Sequence, residues 1–135
     1  MANSGNTLSL YERLGEETLE RAVYLFYDKV IADSRIRHFF RHINTASVAL
    51  HQYHFLVTIT GGPGRYSGRS LRDAHRKLVL TQGLSDEHFD VIIELMKKTL
   101  EELGIGYSTI EEVLNALQGF RDEVLNRPVP ADGQA

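Results

Sequence analysis

The sequence contains no cysteine, no tryptophan and only three prolines in 135 residues. Without cysteine there can be no disulfide, thiolate ligand or iron–sulfur cluster, so a bound metal would depend on the six histidines and on carboxylates. The formal net charge of −3, with no run of like charges, gives neither a basic surface for nucleic acid nor a polybasic membrane anchor. We therefore expect no nucleic acid and no membrane among the partners.

Long hydrophobic runs are missing as well. No apolar stretch approaches the roughly 20 residues of a spanning helix, and residues 1–6 lack the charged and apolar parts of a secretion signal. These absences favour a cytoplasmic protein. The chain is long enough to bury one core without disulfide or metal staples, and we expect one domain over residues 8–126 between a flexible N-terminus (1–7) and a disordered C-terminal tail (127–135).

Hydrophobic residues recur at helical spacing, and no segment convincingly resembles a strand, so the expected fold class is all-α. Ser9 and Glu12 have the spacing of a capping box and predict a short first helix that ends near Gly15. A long amphipathic helix follows. Further helix starts are predicted at Asn44 to Ser47, after the glycine-rich turn at 61–64, at Ser85, and at a second capping box of Ser108 and Glu111 whose helix ends before Pro128.

The helix after the glycine-rich turn carries a single imidazole on its apolar face. Leu71, Ala74, His75 and Leu78 recur at i, i+3, i+4 and i+7, so His75 is predicted to point inward. Such a histidine is either a core residue hydrogen-bonded to a carbonyl or a metal ligand. The spacing alone favours the former.

Other polar side chains also fall on predicted apolar faces. Tyr27 either bonds to backbone within the core or lines a polar pocket. His51 and Gln52 stand side by side on the next helix, which indicates a lined pocket, because a buried polar group costs free energy unless it is paired. His54 lies on the other side of that helix and is predicted to be solvated.

A zinc site is one alternative that the sequence offers. His38 and His42 are four residues apart, a spacing that places two zinc ligands on one side of a helix. The segment HFFRH lacks the glutamate of the H-E-x-x-H motif, and Arg37 and Arg41 disfavour a bound cation. We interpret both histidines as surface residues.

Tyr27, the His51 and Gln52 pair, and His75 lie on three different predicted helices and can converge on one cavity. An imidazole facing Tyr, His and Gln among apolar residues matches the needs of a haem pocket: an axial ligand, hydrogen-bond donors and apolar walls. Nucleophilic catalysis has no candidate, because the chain lacks cysteine and a G-x-S-x-G elbow. The glycine-rich turn also lacks the lysine of a phosphate-binding loop.

Seven segments, in this order and spacing, resemble the group I truncated (two-on-two) haemoglobins, most closely their cyanobacterial-type members. The resemblance covers residues 8–126 and implies a truncated globin with helices packed two over two around haem b. The segments are LYERLG (10–15), LFYDKVIAD (25–33), HFF (38–40), HQYHFL (51–56), GGPGRYSGRSLRDAH (61–75), HFD (88–90) and DEVLN (122–126).

The resemblance implies a role for each matching position. His75 corresponds to the proximal iron ligand, and Tyr27 and Gln52 to the distal pair that acts on bound oxygen. His51 matches a distal histidine that is itself an iron ligand in some cyanobacterial-type members. Phe40 corresponds to the aromatic residue stacked on the porphyrin, Val48 to a variable distal position, and Arg69 to a partner of a haem propionate. We also predict haem contacts at Phe55, Leu71 and Phe89.

Three positions depart from the family pattern. The usual Gly-Gly after the first helix is Gly15 followed by Glu16, and the methionine common four residues before the proximal histidine is Leu71. Some relatives carry a histidine near the C-terminus that bonds covalently to a haem vinyl group, where this chain has Phe120. We therefore expect non-covalent haem.

Two functions from different classes fit these residues. The resemblance favours nitric oxide detoxification, in which an oxygen-binding globin with nitric oxide dioxygenase-like activity forms nitrate and is recharged by an electron-donating reductase. The alternative is a module for storage, oxygen transport or sensing that binds O2, NO or CO without turnover. In either case we expect a monomer.

Overall fold

The computed structural model describes residues 8–41, 43–63 and 68–128. Within these ranges the chain is helical and contains no strand. None of the described helices is both long and apolar enough to cross a membrane. The elements are α1 (Leu10–Leu14), α2 (Glu16–Ala32), a 3₁₀ helix (Arg37–Phe40), α3 (Thr45–Ile59), α4 (Gly68–Gln82), α5 (Asp86–Glu102), α6 (Tyr107–Gln118) and α7 (Arg121–Val124).

Helices α2, α3, α5 and α6 provide the two layers of the fold. Helix α2 packs against α3, and α5 packs against α6, while contacts between α2 and α5 and between α3 and α6 place one pair over the other. The apolar stripes of these helices meet in one core, whose most buried side chains include Val30, Ile36 and Val113. The predicted all-α, two-over-two arrangement is confirmed.

Local sequence signals fix the helix starts at the N-terminal half. The Ser9 hydroxyl accepts a hydrogen bond from the Glu12 amide at 3.1 Å, and the Glu12 carboxylate accepts one from the Ser9 amide at 2.9 Å, which confirms the predicted capping box. Asn44 caps α3 by accepting from the Ser47 amide at 3.0 Å. These bonds satisfy amides that have no partner inside their helices.

The predicted capping box at Ser108 and Glu111 is wrong. The N-cap of α6 is Gly106, and Ser108 is already the second residue of the helix that begins at Tyr107. The chain has extended backbone at Gly106, with φ −66° and ψ 152°, so the helix begins two residues earlier than a serine cap would allow. Composition alone could not choose between the two starts.

The predicted single helix up to Pro128 is also wrong, because it is interrupted at Gly119. The Gly119 amide donates to the carbonyls of both Asn115 and Ala116 at 3.2 Å, which tightens the last turn of α6. A Cβ at this position would lie 3.2 Å from the Ala116 carbonyl oxygen, so glycine suits the tightened turn. The chain then resumes as the short helix α7.

Helix α4 is anchored mainly by α7 and the residues after it. Arg72 donates through Nη1 to the Arg127 carbonyl at 2.6 Å, and Asn126 donates through Nδ2 to the Arg72 carbonyl at 3.0 Å. Asn126 has φ +58°, a left-handed conformation that asparagine tolerates better than most residues. Arg127, which the sequence assigned to the disordered tail, is therefore part of the folded domain, while residues 1–7 and 129–135 lie outside the described residues.

Candidate functional site: a cavity lined by three histidines

A cavity of about 340 Å³ lies among the helices, with side chains from α2 to α7 and from the 3₁₀ helix in its wall. Most of the wall is aliphatic or aromatic. The polar exceptions come from three helices: Ser47, His51 and Gln52 on α3, His75 on α4, and His88 on α5. A predominantly apolar cavity with a few polar groups is typical of a cofactor or ligand site.

His75 is held in one tautomer on the wall formed by α4. Its Nδ1 lies 2.8 Å from the carbonyl oxygen of Leu71, one turn earlier. Because a carbonyl can only accept, Nδ1 carries the proton and Nε2 keeps its lone pair. Burial lowers the pKa of the His75 imidazole below its ordinary value of 6.5, and the hydrogen bond to Leu71 opposes that shift. His75 therefore offers the neutral imidazole nitrogen that metal ligation requires.

On α3, in contrast to the hydrogen-bonded His75, a polar group of the cavity wall is left without a hydrogen bond in the ranges that the structure describes. The Gln52 Oε1 atom is buried and has no hydrogen-bond partner among the described residues. His51 also lines the cavity, but its side chain is exposed to solvent on its other side. An unpaired buried amide oxygen costs about 1–3 kcal/mol, so a hydrogen-bond donor that paired with the Gln52 Oε1 atom would recover that free energy.

Tyr27 does not line this cavity. It is 9% exposed, and its ring packs edge to face with that of Phe40, itself a residue of the cavity wall, with the centroids 6.0 Å apart. The neighbouring Phe26 lines the cavity instead, because successive residues of a helix point about 100° apart. Tyr27 borders a second depression between α2 and α3, of about 650 Å³, and its hydroxyl makes no hydrogen bond within the described residues.

The structure brings the remaining predicted contacts together. Phe40, Val48, Phe55, Leu71 and Phe89 all line the cavity. Two of these rings are fixed from behind: Phe55 packs edge to face on Phe120 with centroids 5.5 Å apart, and the Arg121 guanidinium lies 4.5 Å from the centre of Phe89. These supports hold flat aromatic surfaces against the space inside.

Two predictions fall outside what the structure describes. The Arg69 side chain, expected to pair with a haem propionate, is not among the described side chains, and neither is His42, one of the two residues of the zinc alternative. His38 packs on the ring of Phe39 with centroids 4.1 Å apart. Across the part of the chain that is described, no three His, Asp or Glu side chains are grouped to hold a metal ion.

His88 lines the cavity but was not among the site residues predicted from the sequence. Its signal was the S-x-x-H spacing at the start of α5, where Ser85 is the N-cap and the imidazole takes the position that glutamate occupies in a capping box. Helical periodicity assigns residues to a face but does not test whether a first-turn side chain also reaches a cavity.

The polar groups and walls of this cavity fit a haem. A neutral imidazole whose Nε2 keeps its lone pair lines a space walled by aromatic rings, and α3 carries a buried amide oxygen with no hydrogen-bond partner in the described part of the chain. A flat apolar cofactor with one open coordination position would use each of these features. Together with helices packed two over two, they define a haem-binding globin.

Comparisons with known proteins agree with this class. The family model of the bacterial-like globins matches residues 9–126. Group 1 truncated haemoglobin GlbN from a Synechocystis species is 43% identical over 122 residues, covering 88% of this chain and 98% of that protein. The group 1 truncated haemoglobin of Tetrahymena pyriformis is 37% identical over 120 residues, covering 88% and 96%.

Solved structures show the same relationship. One is the crystal structure of the 2/2 haemoglobin from a Synechococcus species in the cyanomet state and with covalently attached haem. Its TM-score against this chain is 0.83 at 42% identity, and the match covers 89% of this chain and 100% of that one. The chain belongs to the group 1 truncated haemoglobins. Its cofactor is haem b, and it binds diatomic gases.

Proposed function

We propose that this globin detoxifies nitric oxide by converting it with oxygen into nitrate. When bound, haem supplies an iron that takes up diatomic gases and exchanges single electrons. The reaction NO + O2 + e⁻ → NO3⁻ consumes one electron per nitrate, so an electron-donating reductase is the proposed partner. The observation that carries the proposal is the Gln52 side chain on the wall of the cavity that also contains His75, with an amide oxygen that is buried and has no hydrogen-bond partner among the described residues.

The distal residues would act by hydrogen bonding. The Gln52 side chain can turn about its last bond and present its NH2 group to the cavity, where it would donate to a ligand that carries partial negative charge. Tyr27 is the proposed second donor, since its hydroxyl makes no hydrogen bond within the described residues. Its ring contacts Phe40, which lines the cavity, so the proposal requires these two side chains to rearrange when a gas binds. The apolar neighbours Val48 and Phe55 would keep water away.

We assign a second role to the wall formed by α3, the distal wall, in which His51 binds the iron when no gas is present. His51 lines the cavity next to Gln52, and a neutral imidazole is a good iron ligand. Its exposure to solvent means that α3 has to move inward for this bond to form. Gas would then displace His51, and the apparent affinity would fall by the fraction of molecules that are open.

Haem is held without a covalent bond in this proposal. Phe120, at the position where some relatives carry a vinyl-bonded histidine, has no nucleophilic atom, and its ring packs on Phe55. Extraction into acidified organic solvent should therefore remove the haem completely. We further propose that the protein acts as a monomer in the cytoplasm.

Rapid mixing of the oxygenated protein with nitric oxide tests the main proposal. We expect consumption of nitric oxide much faster than spontaneous loss of oxygen, one nitrate formed per haem, and repeated turnover once a reductase is supplied. Slow consumption limited by oxygen release would contradict it. That result would favour the alternative of gas storage, transport or sensing.

The distal hydrogen bonds can be tested separately through ligand release. Each donor should contribute about 1 to 2 kcal/mol to holding oxygen, so Tyr27→Phe and Gln52→Leu should each raise the oxygen off-rate roughly five-fold or more. Carbon monoxide accepts hydrogen bonds poorly and should change less. Tyr24→Phe is the matched control, because Tyr24 is 67% exposed on the same helix. Equal effects on both gases would show that the side chains act sterically.

A further inference from the structure

His88 is the third histidine of the cavity, and its ring is held differently from that of His75. The Ser85 amide lies 3.0 Å from His88 Nδ1. A backbone amide can only donate, so Nδ1 must carry the lone pair, and the neutral ring has its proton on Nε2. In His75 the proton is on Nδ1, facing the Leu71 carbonyl. The two rings are thus fixed in opposite tautomers.

The start of α5 creates this arrangement. Ser85 is the N-cap, and His88 is the third residue of the helix, so its side chain reaches back to the amide of the cap. The ring of Phe39 meets it edge to face with the centroids 4.9 Å apart, and the ring of His38 lies 6.2 Å away. Turning the His88 ring would break the bond to Ser85.

The tautomer decides what His88 can offer to the cavity. With Nδ1 occupied, its available polar group is Nε2–H, a donor in both the neutral and the protonated ring. A donor cannot ligate iron, but it can bind an anion. His88 is half-buried, as a residue that contacts both a cofactor and solvent would be. The anionic groups of haem b are its two propionate carboxylates, which only accept hydrogen bonds when ionised.

We propose that His88 is a haem-binding residue whose Nε2–H donates to a propionate carboxylate, while Nε2 of His75 faces the iron. The tautomers of the two histidines then distinguish the iron at the centre of the cofactor from the propionates at its edge. This assignment depends on haem binding and is independent of nitric oxide chemistry.

The test combines a change in the protein with a change in the cofactor. Haem transfer to an excess of apomyoglobin would be timed for the protein loaded with haem b or with its dimethyl ester, in which both carboxylates are blocked. We expect His88→Phe to speed the loss of haem b roughly three- to tenfold and to change the loss of the diester little. His88→Gln, which keeps an N–H donor, should restore part of the retention of haem b.

His38→Phe is the matched control, because His38 packs on the same Phe39 ring but does not line the cavity. It should leave both rates unchanged. If His88→Phe speeds the loss of both cofactors equally, the residue supports only the fold and the proposal is overturned. No effect on either cofactor would overturn it as well.

An NMR measurement on the unaltered carbonyl form avoids the risk that a variant folds poorly. The His88 Nε2–H proton should be observable and protected from exchange with haem b, and should exchange faster with the diester. The nitrogen shifts should show Nδ1 unprotonated in both. A protonated Nδ1 in the neutral ring, or equal exchange with both cofactors, would contradict the proposal.

Discussion

Two walls of the haem cavity, one formed by α4 and the other by α3, differ in whether their polar side chains already make hydrogen bonds. On α4, the His75 imidazole is bonded to Leu71, and the helix itself is tied to the C-terminal residues through Arg72 and Asn126. On α3, the Gln52 amide oxygen is buried without a partner among the described residues. In the proposed function this difference separates a permanent bond from a reversible one, since α4, which would hold the cofactor, is organised in advance, and α3, which would meet the gas, retains hydrogen-bonding capacity.

Removing His75, the proposed proximal ligand, should have the largest effect. His75→Gly deletes the imidazole whose free Nε2 faces the cavity, so haem retention should fall greatly, and added imidazole should restore part of it. Haem content after purification and the ferrous spectrum measure the result. His54→Gly is the control, since it places the same helix-weakening residue at an exposed position of α3. Normal haem affinity with an unchanged spectrum in His75→Gly would contradict the assignment of the iron ligand.

Removing the distal histidine should change the spectrum but leave the haem in place. In the absence of gas we expect the ferrous protein to be at least partly low-spin, with sharp α and β bands, through coordination by His51. His51→Leu should convert it to a five-coordinate, high-spin form and speed carbon monoxide binding, because no internal ligand has to leave. His54→Leu should change neither property. A low-spin ferrous spectrum that persists in His51→Leu would assign the sixth position to another group.

The sequence predicted much of both walls because helical periodicity reports which side chains share an apolar face. His51, Gln52 and His75 all interrupt such faces, and all line the cavity. Tyr27 also lies on a buried stripe, which it shares with Phe26, but its ring contacts Phe40 and does not line the cavity. Periodicity gives the buried side of a helix, whereas the neighbour that a side chain meets there depends on how other elements pack.

Tertiary contacts also explain what could not be predicted near the C-terminus. The amphipathic stripe continues across Gly119, so the sequence indicated one helix, yet the chain breaks there and α7 turns towards α4. The hydrogen bonds of Arg72 join it to Asn126 and Arg127, which are 54 and 55 residues away along the chain. No local pattern contains such a pair.

The anchor of α4 can be weakened without touching the cavity. Asn126→Ala removes the hydrogen bond to the Arg72 carbonyl and places alanine at φ +58°, and the two costs together should lower the free energy of unfolding by about 1–2 kcal/mol. Asn126→Gly keeps the backbone conformation and removes only the bond, so it should cost less. Urea unfolding of the carbonyl form measures both.

The same variants test the difference between the two walls. Haem loss should be faster in Asn126→Ala, because α4 carries His75, the proposed iron ligand, while the ratio of oxygen to carbon monoxide off-rates, which we propose is set by α3, should stay unchanged. A changed ratio would show that the anchor also acts on the distal wall.

The smallest expected effect concerns acid. Burial lowers the pKa of His75, so the neutral imidazole that can hold iron persists to a lower pH than the ordinary 6.5 would allow. As the pH falls through this window, the unfolded chain takes up a proton before the folded one does, so the stability that depends on neutral His75 declines with falling pH.

Leu71→Ala reduces the burial around the ring, since Leu71 is only 3% exposed and lines the cavity. It should raise the pKa of His75 and move the midpoint of acid-induced haem release, followed by the haem absorption band, to a higher pH. Leu80→Ala, at a 71% exposed position of the same helix, should leave the midpoint in place. If the midpoint of Leu71→Ala matches that of the unaltered protein, then proton competition at His75 does not govern haem release. Haem retention on the α4 side would then depend on the position of the His75 ring and not on the low proton affinity of a buried imidazole.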